Sequence, residues 1–343
     1  MSMEIYSGLE NKDITEVIKE RAKIVEFEIK KILLEESPFL LPDRWYKDDP
    51  IVHSLWSGGK RLRPILCLFS CEAVGGDWEK SLPTAVGIEF LHTFTLIHDD
   101  IMDKSEIRRG RPSLHSIWGE SIAITAGDTL YSLAFKSFLK NAEIEGVTHE
   151  QVNRVIDVAV KKCISLARGQ TMDIMFERIE MINIEDYIEM ARMKTSSLIE
   201  LALVAGAIIG GGSKEEINSL EKIGRDIGLA FQIQDDVLDI EGVETGKPRA
   251  IDLRRRKKTL IVIHAIENAT NQNRKKLLDF MRGADIDIED IINILEETGS
   301  IDFAKEKVKE LLDSARKEIR NLRENEGRYN IEKTIDYIMN RKR

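Results

Sequence analysis

Three features of this 343-residue chain predict an all-α fold. It holds only seven prolines, long stretches repeat their apolar residues with a 3.6-residue period, and no run alternates apolar and polar residues as a half-buried strand does. Roughly ten or more helices are expected on that basis. No stretch is rich enough in Pro, Gly or Ser to act as a linker, so residues 1–343 read as a single domain, one large helical bundle.

The elements follow in order. Residues 12–35 form an amphipathic helix, setting Ile14, Val17, Ile18, Ala22, Ile24, Val25, Phe27, Ile29, Ile32 and Leu33 against Lys and Glu. A connector holding Pro38, Pro42 and Pro50 follows. Residues 61–74 are helical, with Pro64 near the start, where a missing N–H costs least. Residues 81–103 form a long apolar helix, and 104–119 a basic, glycine-containing loop. Helices are expected over 123–141, with Asp128 as a buried polar candidate, then over 149–180 and 184–207. The turn Gly210-Gly211-Gly212-Ser213 leads to a helix over 217–239, and 242–258 is a loop rich in Gly, Arg and Lys. From Leu260 the chain is charged amphipathic helix, broken near Gly283 and Gly299, without a chemical motif.

Composition narrows the function. Hydrophobic residues make up 42% and charged residues 32%, which suits a globular protein with a sizeable core. A net charge of −9 argues against a nucleic-acid partner. Cys67, Cys71 and Cys163 lack metal-ligand spacing and are too few for a disulfide framework, so they read as core residues in a reducing compartment. The N-terminal residues lack the basic and apolar regions of a signal peptide. The longest apolar run, 201–212, is too short and glycine-rich to be a transmembrane segment. A cytoplasmic location is expected.

The chemistry concentrates in two acidic motifs. The apolar run from Phe90 to His98 ends in Asp99-Asp100-Ile101-Met102-Asp103, and Phe231-Gln232-Ile233-Gln234 precedes Asp235-Asp236-Val237-Leu238-Asp239. Residues four apart share a helix face, so Asp99 pairs with Asp103 and Asp235 with Asp239. A lone Asp-Asp pair reads as a cap or a solvated turn. Two copies, each closing an apolar run, call for a hard divalent cation to offset the repulsion, and Mg²⁺ suits such oxygen ligands. What several Mg²⁺ would hold between two such clusters is a polyanion, most simply a diphosphate.

Placed cations are the second ingredient. Gly58-Gly59-Lys60-Arg61-Leu62-Arg63-Pro64 lies at a loop-to-helix junction, where free N–H groups favour anions. Lys60 offers a point charge and Arg63 a bidentate fork. Arg108-Arg109-Gly110 follows the first aspartates; as a surface salt-bridge network it would be worth little. Lys194-Thr195 interrupts an apolar helix, and Lys247 and Lys257 lie beyond the second aspartates. The run Arg254 to Lys258 reads equally as a solvated face. His92, seven residues before Asp99, is either a satisfied core residue or a phosphate donor.

Together these pieces resemble the trans-isoprenyl diphosphate synthases, or polyprenyl synthetases. The matching segments are Gly59 to Pro64, Leu96 to Asp103, Arg108-Arg109-Gly110, Lys194-Thr195, Phe231 to Asp239, Thr245-Gly246-Lys247-Pro248 and Asp252 to Lys257, in the family's order over 54–265. The resemblance implies the isoprenoid synthase fold around a central cavity, usually a homodimer. It implies that Asp99, Asp103 and Asp235 ligate three Mg²⁺ ions on an allylic diphosphate, with Asp239 and Asp252 assisting through water. Arg108, Lys194, Thr195, Gln232, Lys247 and Lys257 would contact the allylic substrate (dimethylallyl, geranyl or farnesyl diphosphate), Lys194 serving also in catalysis. Lys60, Arg63, His92 and Arg109 would hold isopentenyl diphosphate. One departure is Arg254-Arg255-Arg256, where the family often has a Glu-Gly pair before the lysine; it leaves the roles of Lys257 and Lys258 somewhat interchangeable.

The implied reaction is ionisation of the allylic diphosphate, attack by the double bond of isopentenyl diphosphate, and proton loss. Product length in the family depends on bulk at positions four, five and eight before the first aspartate, here Thr95, Phe94 and Leu91. Phe94 lies about 7.5 Å and Leu91 about 12 Å along the helix from Asp99. An aromatic at the fifth position alone resembles archaeal-type geranylgeranyl diphosphate synthases, whereas an ideal wheel puts Leu91 and Thr95 with Asp99 and turns Phe94 aside. A C15 or C25 product is the alternative. A class I terpene cyclase would lack the Lys60, Arg63 and Arg109 set, and a non-catalytic subunit would tend to lose one aspartate motif.

Overall fold

In the computed structural model, residues 13–35, 49–242 and 250–339 are described. The helices in chain order are α1 (Ile14–Glu35), α2 (Pro50–Leu55), α3 (Leu62–Ala73), α4 (Leu82–Met102), α5 (Leu114–Trp118), α6 (Glu120–Lys140), α7 (His149–Arg178), α8 (Ile184–Ala191), α9 (Ser197–Ile209), α10 (Lys214–Glu241), α11 (Ile251–Arg254), α12 (Leu260–Asn268), α13 (Asn271–Met281), α14 (Ile288–Glu297), α15 (Ser300–Ile319) and α16 (Glu326–Met339). The all-α expectation holds. Among the described residues the strands are a two-residue hairpin, β1 (Ile107–Arg108) against β2 (Arg111–Pro112), set in the basic loop after α4. The loop therefore folds back tightly, and Arg109, at φ 52°, and Gly110, at φ 76°, make its turn. Most of the 36–50 connector falls outside the described residues; α2 begins at its last residue, Pro50.

The chain groups into two compact units, each drawn from three stretches: Met1–Ala159, Leu201–Leu220 and Leu322–Ile331 in the first, and Val160–Glu200, Glu221–Asn321 and Glu332–Arg343 in the second.

The first unit is built on α4, apolar on most sides because it is covered on most sides. Its Phe90 and Leu91 are buried, as are Leu66 and Phe69 of α3 and Leu130 and Phe138 of α6. Small residues set the spacing. A methyl on Gly87 would meet the buried Phe138 ring and lie 2.8 Å from the Ala134 carbonyl oxygen, and one on Gly206 of α9 would strike the Cys67 carbonyl. In α1, Val17, Ile18, Val25, Ile29, Ile32 and Leu33 are buried as the periodicity predicts, while Phe27 is 69% exposed. The motif-free C-terminal region has a structural task here: Asn325 Nδ2 donates to the carbonyls of Glu72 and Ala73 at 3.0 Å each, closing the end of α3. Asp128 is a correction. Its side chain is 67% exposed, because Ser121, Thr125, Asp128 and Ser132 form one polar stripe on the outer face of α6.

In the second unit, α8 opens with a capping box between Asn183 and Asp186 and passes directly into a π-helical turn, Arg192–Ser196. The core gathers Tyr187, Ile223, Ile227, Ile233, Val237, Leu260, Leu277 and Leu295. Lys162 of α7 is engaged by both Glu200 and, at 2.9 Å, Glu221. Among the described residues, no helix is long and apolar enough to cross a membrane.

Candidate active site

The first unit carries the first acidic motif at the C-terminal end of α4. Asp103 is the C-cap, and its N–H donates to the Asp99 carbonyl at 2.8 Å, so the two aspartates stand one turn apart. Asp100, between them, is 5% exposed and is engaged by Arg108, whose Nε and Nη2 donate to its Oδ1 at 2.8 and 2.5 Å. Desolvation raises the Asp100 pKa above its ordinary value, opposed by Arg108. The hairpin thus uses its first strand to hold the middle carboxylate, and the outer two remain part-exposed.

The glycine-rich turn before α3 gathers the first cationic set. Arg61 takes the left-handed conformation at φ 51° and is 4% exposed, with its guanidinium on Glu89 at 2.5 Å and on the Leu55 carbonyl. That anchor turns the junction so that Lys60 is exposed and Arg63 lies against α4. Arg63 Nη1 donates to His92 Nε2 at 3.2 Å. An arginine can only donate, so His92 accepts there and is neutral. Desolvation, then Arg63 and Arg109, hold its pKa well below 6.5. Arg109 Nη1 donates to the Gly58 carbonyl, in space that a Gly59 side chain would occupy. Arg63 therefore meets His92, and Arg109 meets the glycine turn that precedes Lys60. Sequence reasoning missed the buried role of Arg61, which looks like one more cation in a basic string.

Of the length-determining candidates, Leu91 is buried, Thr95 donates to the His92 carbonyl at 2.8 Å, and Phe94 is held edge-on by His98 and Tyr131, with ring centroids 4.7 and 5.2 Å away. Phe94 thus packs against Tyr131 of α6.

The second unit carries the second motif within α10. Asp236 is 3% exposed and accepts from Tyr187 Oη at 2.5 Å and Gln232 Nε2 at 3.0 Å. Burial pushes its pKa up to about 7, against the pull of those bonds. Gln232 Oε1 accepts from Thr195 Oγ1 at 2.7 Å, and Lys194 Nζ lies 2.6 Å from Asp173 Oδ2. The π-turn that presents Lys194 and Thr195 is packed closely: a methyl on Gly228 would lie 2.5 Å from Ser196 Cα. Asp239 is 3% exposed, and its oxygens accept the N–H groups of Ile251 at 3.1 Å and Asp252 at 2.9 Å. It anchors the start of α11. Asp235 remains part-exposed.

The Arg254-Arg255-Arg256 departure has a backbone answer at its last residue. Arg256 sits at φ 57°, the left-handed region that glycine adopts freely, and its Nε donates to the Phe280 carbonyl at 3.0 Å. Lys258 Nζ donates to the Phe176 carbonyl at 2.6 Å, which ties that lysine to the backbone of α7. Lys247 and the Thr245 to Pro248 motif lie outside the described residues. Among the described residues, no three His, Cys, Asp or Glu side chains form a ready metal site.

Comparisons with known proteins identify the family. A polyprenyl synthetase family model matches residues 45–298. A short chain isoprenyl diphosphate synthase of Methanothermobacter thermautotrophicus is 41% identical over 292 residues, 84% of this chain and 88% of that protein. The crystal structure of geranylgeranyl pyrophosphate synthetase from Pyrococcus horikoshii is similar with a TM-score of 0.87 at 38% identity, covering 96% of this chain and 98% of its own. Geranylgeranyl pyrophosphate synthase from Corynebacterium glutamicum, complexed with isoprenyl diphosphate and magnesium, gives 0.81 at 25% identity, covering 96% of this chain and 99% of its own. With more than half of its length matched by the family model, the chain belongs to the polyprenyl synthetase family and is a trans-prenyltransferase.

Proposed function

We propose that this enzyme condenses isopentenyl diphosphate with an allylic diphosphate and that geranylgeranyl diphosphate is its main product. What supports this reading is that each unit carries its own set of cationic and polar groups of the kind that bind phosphate, Lys60, Arg63, His92 and Arg109 in the first and Lys194, Thr195, Gln232 and Lys257 in the second. Cyclisation of one diphosphate needs one such set. Transfer between two diphosphates needs two.

Asp99, Asp103 and Asp235 are the proposed Mg²⁺ ligands, three ions per site following the family. The donors fit, because carboxylates are the hard oxygen ligands Mg²⁺ takes and Asp99, Asp103 and Asp235 are part-exposed. Asp239 and Asp252 assist through water. Bound Mg²⁺ supplies Lewis-acid stabilisation of the charge that gathers on the departing diphosphate.

The chain's own groups do the rest. Neutral His92 and the cations around it hold isopentenyl diphosphate so that its double bond reaches the allylic carbon as the C–O bond breaks. The proton released in the last step passes to the freed diphosphate, so no protein nucleophile is required. Buried apolar side chains such as Leu91 exclude water from the cation. Phe94, backed by His98 and Tyr131, limits product growth. Exposed Ile122, Ile124 and Leu139 on α6, and Ile164 and Met175 on α7, support a homodimer. The three free cysteines support a cytoplasmic location.

The test is incubation with labelled isopentenyl diphosphate, Mg²⁺ and each allylic primer, followed by chromatography of the dephosphorylated products. A C20 alcohol as main product is expected. Hydrocarbon or a cyclic alcohol, without incorporation of label, would overturn the reading.

A further inference from the structure

Tyr187 stands in none of the segments that carry the family resemblance, yet its hydroxyl ends in one of them. It lies in α8, is 2% exposed, and donates to Asp236 Oδ2 at 2.5 Å. The second oxygen of that carboxylate accepts from Gln232 Nε2 at 3.0 Å, and Gln232 Oε1 accepts from Thr195 Oγ1 at 2.7 Å. The four side chains form one chain of hydrogen bonds in which each bond sets the next. With Asp236 ionised both of its oxygens accept, so Gln232 turns its NH₂ to it; a flipped amide would then set its carbonyl oxygen against a carboxylate oxygen. The Gln232 carbonyl is then aimed at Thr195 and takes that hydroxyl's proton.

We propose that Tyr187 is a positioning residue of the allylic diphosphate site: by holding Asp236 it sets the amide of Gln232, and through it the hydroxyl of Thr195. The inference rests on the allylic role given above to Gln232 and Thr195.

The local backbone explains why the hydroxyl matters more than the ring. The capping box fixes the start of α8, three residues before Tyr187 in sequence, and the π-turn that follows is packed tightly enough that Gly228 admits no side chain against Ser196. Burial, then the Asp236 charge, push the Tyr187 pKa up, so the hydroxyl stays a donor through neutral pH. A phenyl ring would fill the same space and leave Asp236 Oδ2 buried without its donor. The carboxylate would then turn towards the donor it keeps, and Gln232 and Thr195 would lose their shared orientation.

The experiment is steady-state kinetics of Tyr187→Phe with each substrate varied in turn. The expected result is a KM for the allylic diphosphate raised roughly tenfold, as is usual on loss of a partner that orients a binding group, with the KM for isopentenyl diphosphate unchanged. Because the effect passes through Gln232, adding Tyr187→Phe to Gln232→Ala should raise the allylic KM by less than about twofold more. Wild-type constants in Tyr187→Phe, an equal rise in both KM values, or a full second tenfold rise on the Gln232→Ala background would each overturn the proposal. An unchanged allylic KM in Gln232→Ala alone would instead overturn the allylic assignment, and this proposal with it. Should Tyr187→Phe lose its cooperative melt, Asp236→Ala carries the test: a rise confined to the allylic KM supports the relay, and an equal rise in both ends it.

Discussion

Arg108 grips Asp100 rather than Asp99: its Nε and Nη2 lie 2.8 and 2.5 Å from one oxygen of Asp100, and Nη2 stands 3.6 Å from the nearer oxygen of Asp99. The middle carboxylate of the first motif is thereby a structural counter-charge for the hairpin. Asp100→Ala should lower stability by about 2 kcal/mol, the usual loss for a hydrogen bond to a charged partner, read as a shift in the denaturant midpoint at unchanged slope. A midpoint equal to wild type would show that the pair contributes nothing.

The outer aspartates should behave oppositely. Asp99→Ala and Asp235→Ala are expected to reduce turnover by about 10² or more, with the far-UV spectrum and melting temperature close to wild type, because they serve charge stabilisation rather than packing. Near-normal turnover of either variant at saturating Mg²⁺ would defeat the proposed mechanism.

Phe94 is the proposed limit on growth, braced by His98 and Tyr131. In Phe94→Ala the main product should lengthen from C20 to C25 or beyond, scored by reversed-phase chromatography of the alcohols. If the product pattern does not change, Leu91 or Thr95 becomes the floor.

His92 predicts a pH dependence. Its folded pKa lies well below 6.5, through burial and the neighbouring arginines. In the unfolded chain it gains a proton near pH 6.5, so between the folded and unfolded values the unfolded state binds more protons. Stability therefore rises with pH in that window and is lost as pH falls below about 6.5, by at most about 1.4 kcal/mol per pH unit for one proton. His92→Gln should flatten the fall in melting temperature between about pH 6.5 and 5. An identical acid slope in the variant would show that His92 titrates normally.

The local rules made most of the secondary structure readable in advance. Apolar period alone places α1, α4, α7 and α10 within a few residues, since each buries one or more faces over many turns. The motifs were legible for a similar reason: four-residue spacing on a helix is a geometric fact before any folding occurs. What stayed hidden was which polar group takes which partner. Asp128 looks like a buried acid among alanine and leucine, and only the outward face of α6 decides that it is exposed. Arg61 and Arg63 are two residues apart, and a left-handed φ buries one and presents the other. Arg256 takes a glycine's conformation because its side chain finds the Phe280 carbonyl.

The amino-acid sequence by itself determined that this protein is helical, that it carries two carboxylate clusters, and that cations accompany each of them. The tertiary structure alone decided which partners the middle carboxylate of each cluster takes. Asp100 and Asp236 have the same side chain as their neighbours, but burial beside Arg108 and beside Tyr187 with Gln232 commits them. The physical reason is distance along the chain: Tyr187 is 49 residues from Asp236, and a hydrogen bond between them exists only once packing has removed the water that would otherwise satisfy both.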